Sequence, residues 1–281
     1  MDIYENNITQ QDIDETLVEE RLDKDLKQYN KLQKIYAIVG IILLLFTFKD
    51  PIIFRIKFSF AVPTKYEVTP INVKDEPLQV NYPLLIQAQN SFNYTSLING
   101  HEFKIIPQAY YKLSGLVLAH NHTFFFKNDF FDSAALYDIG VGWGAFSNKR
   151  LVKKYLKSYS DKNEVTQARV LYVRYKSPQA GRAFAKESGK KLRSIEDFEY
   201  SHSHLVPANR NVMAALLKIR NYQKVEIEGQ LIDMEYINKL GRKEFYRTST
   251  VRTDPYEGNR GYGSCETIYV KRVRIENKVY E

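Results

Sequence analysis

Apolar and polar positions follow three different periods along this chain. From Asp12 to Tyr29 apolar residues recur at three-, four- and five-residue steps, as Ile13, Leu17, Leu22, Leu26 and Tyr29, among acids and lysines. That spacing predicts a solvated helix with Asp12 or Asp14 as its cap. Ile35 to Phe48, IYAIVGIILLLFTF, then loses all charge. A helix of that length reaches about 21 Å against a hydrocarbon core of ~30 Å. Leu32, Lys34 and Lys49 lengthen it, Tyr29 and Tyr36 take interfacial positions, and Pro51 ends it. The run therefore predicts one uncleaved signal-anchor helix over 35–54, behind an acidic cytoplasmic leader and stalk at 1–34.

Beyond Pro51 the period falls to two. Phe54, Ile56, Phe58 and Phe60 alternate with Arg55, Lys57 and Ser59, the pattern of a half-buried strand. Pro63, Pro70, Pro77 and Pro83 then make 55–100 an extended connector. From 101 to 281 strand patterns dominate. FKIIP and YYKLSGLVLAH read as two successive strands, followed by LYDIGVGWG, ARVLYVRY, KVEIEGQLIDMEY and ETIYVKRVRI. Val225, Ile227, Leu231, Ile268, Val270 and Val273 are the expected inward positions, and Trp143 an expected core anchor. Helices are expected over 148–159, around Ala180, Ala183 and Phe184, and after Asn209 or Asn211, with Val212, Leu216 and Ile219 on one face. The fold class expected is α+β: a single N-terminal transmembrane helix followed by a mostly antiparallel β-rich domain with a few helices.

Charge divides unevenly. Residues 1–60 hold 8 basic and 10 acidic side chains, and residues 61–281 hold 33 and 23. Five basic residues before the apolar run (Arg21, Lys24, Lys27, Lys31, Lys34) against four after it (Lys49, Arg55, Lys57, Lys65) favour an inside N-terminus and an extracytoplasmic C-terminal domain. The lipid bilayer through 35–54 is the expected partner, with room for a protein partner in the envelope. Nucleic acid is not expected as a partner, and no cofactor is named. The single cysteine, Cys265, excludes an intrachain disulfide.

Candidate chemistry is sparse. No Walker loop, no H-E-x-x-H and no G-x-S-x-G occurs, and Gly140, Gly142 and Gly144 lack dinucleotide-binding spacing. His202 and His204 lie two apart in SHSHLVP, so on a strand both imidazoles share a face. With Cys265 they are the catalytic candidates, for a metal- or cysteine-dependent hydrolase. The spacing supplies no third metal ligand, so no metal site is assigned. The favoured expectation is a structural histidine pair hydrogen-bonded to backbone at the start of the following helix. Arg247, Arg252, Arg260 and Tyr256 lie in a turn-rich stretch, YRTSTVRTDPYEGNR, and are the binding candidates for an anion or a stacked base.

The set DIGVGWG, SHSHLVPAN, KVEIEGQLI and GYGSCETIYV resembles a family of uncharacterised bacterial membrane-anchored proteins, over roughly residues 100–275. The resemblance implies a bacterial inner-membrane setting and carries no activity and no residue roles. The function expected is a membrane-anchored binding or assembly module, with an envelope hydrolase on His202, His204 and Cys265 and a basic nucleic-acid binder as alternatives.

Overall fold

A computed structural model describes residues 24, 26–41, 60–97, 100–122, 134–135, 137–162, 169–190, 199–237, 241–248 and 265–281. The chain forms two compact units, Met1–Ile53 and Phe54–Glu281. In the first, a helix (α1) covers 26–41 with nearly every side chain exposed.

The transmembrane expectation is overturned. No helix among the described residues is long and apolar enough to cross a membrane. The reason lies in where α1 falls. Its first half carries Lys27, Lys31 and Lys34, and only Ile35–Ile41 of the apolar run belongs to its described part, well short of the ~20 residues a span requires. The remainder of the run, and Phe54–Ser59 of the expected strand, lie outside the described residues.

The second unit is built on a long strand. Strand β4 (Glu102–His122) merges the two strands expected over FKIIP and YYKLSGLVLAH. Register shifts at Pro107/Ala109 and Val117/Ala119 let it bend without breaking. Pro107, which lacks an N–H, sits at one of these bulges, where proline is tolerated in a sheet. The other principal strands are β5 (Tyr137–Gly142), β8 (Tyr200–Pro207), β9 (Lys224–Ile237) and β11 (Glu266–Ile275).

These five run β11-β8-β5-β4-β9, and β11 also pairs with β9, which closes them into a barrel. The β8–β11 pair is parallel and the others are antiparallel. Helix α5 (Arg210–Leu216) lies between the third and fourth barrel strands, with Asn209 as its cap, accepting from Val212 N at 2.9 Å. A five-stranded Greek-key barrel of this connectivity is that of an OB-fold. Alternate residues fill the interior, including Tyr111, Leu113, Ile139, Leu205, Ile227, Ile268 and Val273. Val212, Met213 and Leu216 of α5 pack against them. Gly229 is required where β9 meets β11, because a Cβ there would lie 2.0 Å from the Tyr269 carbonyl oxygen.

Two apolar clusters cover parts of the outer surface. One gathers Phe103, Ile105, Val206, Ile232 and Met234 with Tyr94 of β3 (Phe92–Thr95). The other joins Leu116 and Leu118 to a lobe inserted between β5 and β8. That lobe holds α3 (Lys149–Tyr155), the two-stranded ribbon β6–β7 (Leu156–Lys162 and Arg169–Tyr175) and α4 (Pro178–Ser188). Helix α3 stops four residues before the expected Tyr159, where β6 takes over.

The stretch read as an extended connector over 55–100 is part of the domain from Ala61 on. β1 (Lys65–Tyr66) pairs with β12 (Lys278–Tyr280), while β2 (Leu78–Asn81) and β3 pair with β4, with α2 (Leu84–Gln89) between them. The Asn211 amide bonds both backbone groups of Val62. The prolines break helix periodicity there, but leave enough N–H groups to join sheet edges. β10 (Lys243–Tyr246) extends the sheet beyond β9.

Candidate metal centre

Strand β8 alternates cleanly. Ser201, Ser203 and Leu205 point into the barrel, while Tyr200, His202, His204 and Val206 point out, as the cluster membership of Leu205, Val206 and Tyr200 shows. Register then places Asp138 of β5 beside His204 and Gly140 beside His202. On the other flank Glu266 pairs with Ser203, which brings the preceding residue, Cys265, level with His202. Four chemically active residues, Asp138, His202, His204 and Cys265, from three distant parts of the sequence thus share one outer patch, between the two apolar clusters.

The side chains lie within bonding reach of one another. Cys265 Sγ lies 3.2 Å from His202 Nδ1, and His204 Nδ1 lies 2.6 Å from Asp138 Oδ1. The two imidazole rings meet edge-on with centroids 5.0 Å apart. One donor atom from each of His202, His204 and Cys265 falls within 4.8 Å of the others. Nε2 of His202, a residue only 8% exposed, has no hydrogen-bond partner among the described residues.

Electrostatics follow from these contacts. Burial alone would raise the Cys265 thiol, but His202 and His204 beside it win and hold it well below its ordinary value. Burial would lower the His204 imidazolium, and the adjoining Asp138 carboxylate raises it instead. Beneath the patch, inside the barrel, Ser201 Oγ donates to Glu266 Oε2 at 2.7 Å, and burial pushes that acid up to about 7. Tyr200 lies against Gly140, where a Cβ would come within 2.8 Å of its ring, and burial raises its hydroxyl.

The expected backbone role of the histidines is corrected. The contacts that place them are with side chains, His202 with Cys265 and His204 with Asp138, and of the two proposed asparagines Asn209 caps α5. Glu199 is committed to the inserted lobe, accepting from Ala145 N and Lys190 Nζ. His101 packs on Tyr236, away from the patch. Arg247 is exposed after β10, while Arg252, Tyr256 and Arg260 lie outside the described residues. Sequence reading missed Asp138, Tyr200 and Glu266. A usable signal existed for Asp138, an acid flanked by Tyr137 and Ile139 in an otherwise apolar strand.

No protein-family model, curated protein or solved structure matches this chain. The resemblance noted in the sequence therefore lends no role to any residue of the patch.

Proposed function

We propose that this protein binds a zinc-like divalent ion on the outer barrel face, through His202, His204 and Cys265. The observation that carries the reading is the convergence of one sulfur and two imidazole donors within 4.8 Å. Thiolate and imidazole are the donors zinc prefers, at about 2.3 and 2.0–2.1 Å. Asp138 supports the same reading. Its carboxylate engages Nδ1 of His204 and leaves Nε2 to the ion, the usual outer partner of a metal-bound histidine. Three protein donors leave a fourth position open, and an ion held that way supplies an acidified water for hydrolysis. His204 and Cys265 are each partly exposed, so a small ligand has access.

The test is metal analysis of the full chain purified without chelator. One equivalent of ion is expected in the wild type and none in His202→Ala or Cys265→Ser. Asp138→Asn is expected to weaken binding by about 10–100-fold. A chain that neither carries zinc nor takes it up would overturn the reading.

A second reading, thiol catalysis, is favoured by one observation: the 3.2 Å contact of Cys265 with His202 beside the Asp138–His204 pair. It leaves unexplained why two histidines are needed. Rapid alkylation of Cys265 in metal-free wild type, unaffected by added zinc, is the result that would put this reading first.

A further inference from the structure

The excess positive charge of the second unit is concentrated in one place. Residues 148–191 hold 13 basic and 3 acidic side chains, whereas the rest of 61–281 holds 20 and 20. This stretch is the lobe inserted between β5 and β8. Its apolar side chains, Leu151, Val152, Tyr155 and Phe184, are turned toward Leu116 and Leu118 of the barrel. Lys149, Arg150, Lys153 and Lys154 of α3 and Arg182 and Lys186 of α4 are left on the outside. Glu187 is the one acid in these helices, and it already serves Arg150 and Lys154.

The ribbon breaks a pairing rule. Its register sets Lys157 opposite Arg174. Like charges directly opposed across two strands destabilise the pair. The opposed pair at Lys157 and Arg174 is a local cost in stability, and it adds to the positive charge of the lobe.

We infer that α3, α4 and the end of the ribbon that carries Lys157 and Arg174 form a surface that binds the phosphate backbone of a nucleic acid without reading sequence. Exposed lysines and arginines on two neighbouring helices suit a linear polyanion, which they bind by releasing its counterions. An anionic bilayer fits less well. Amphipathic surface binders carry apolar side chains to insert, and α3 and α4 expose no large hydrophobic residue. The inference is independent of the metal centre.

The experiment measures anisotropy of a labelled mixed-sequence DNA duplex and a mixed-sequence single-stranded RNA with the full chain, across a salt series. Binding is expected to at least one, weakening as salt rises. The triple variant Lys153→Glu/Arg182→Glu/Lys186→Glu should lose at least tenfold in affinity and show a shallower salt slope. Lys271→Glu/Lys278→Glu, which removes two exposed cations outside the lobe, should bind like wild type. Lys157→Glu should weaken binding while keeping or raising the melting temperature, which separates lost binding from lost fold. Absence of binding at low salt would overturn the inference. So would unchanged affinity in a folded triple variant, or binding to anionic vesicles or polyglutamate with none to nucleic acid.

Discussion

At the scale of single residues, the outer patch depends on small neighbours as much as on its donors. Tyr200 reaches its position because Gly140 leaves the sheet surface bare beneath it. Gly140→Ala is expected to displace the tyrosine ring and disturb the adjacent His202, lowering zinc affinity while the barrel stays folded. Titration with zinc alongside far-UV circular dichroism checks both halves. Only part of this patch was legible in the sequence. The two histidines were readable because strand alternation alone puts them on one face. Cys265 was readable as a residue type, but its approach to His202 depends on a parallel pairing between strands some sixty positions apart. Asp138 and Glu266 were missed for the same reason, since register across strands is not written in local spacing.

At the scale of elements, periodicity succeeded where one side of a strand is wet and the other buried. β9 and β11 were read with their inward residues correct, because Val225, Ile227, Leu231, Ile268, Val270 and Val273 all lie inside. It failed for β4, whose bulges shift the phase and mimic a strand break. It failed differently in α1, where an uncharged run was taken for a span. Closure of the barrel is the element-scale feature most open to attack. Gly229→Ala forces a methyl group into the Tyr269 carbonyl, a backbone atom that no rotamer change can move. The expected result is loss of the cooperative thermal transition, whereas Gly189→Ala, at a solvent-facing helix end with positive φ, should cost about 1 kcal/mol.

At the scale of the second unit, the segment after Ala61 is held by charge. Glu67 receives Arg272 at 2.8 Å and Arg274 at 2.9 Å, and Glu226 receives Arg272 at 2.5 Å and Lys112 at 3.1 Å. Burial tends to raise both acids, but their cationic partners prevail and hold them below their usual value of 4.5. An acid whose folded value is depressed contributes stability that is present above its unfolded value and disappears as pH falls through the folded one. The urea midpoint is therefore expected to drop below about pH 4.5. Glu226→Gln should be less stable at neutral pH and show a smaller acid-induced drop. An acid profile identical to wild type would count against the network.

The barrel is closed by β11 and the segment after Ala61 is gripped by β12, so both depend on Glu266–Tyr280, which are made after every other strand of the barrel. Order of synthesis then acquires physical weight. While the chain is being made, β4, β5, β8 and β9 form an open sheet, with one edge of β8 and one edge of β9 waiting for a strand still unmade. Long-range pairing of that kind is slow, and bare edges invite association with other chains. Nascent chains halted before Glu266 are expected to be protease-sensitive and bound by chaperones. Chains extended through Glu281 should become resistant in a single step.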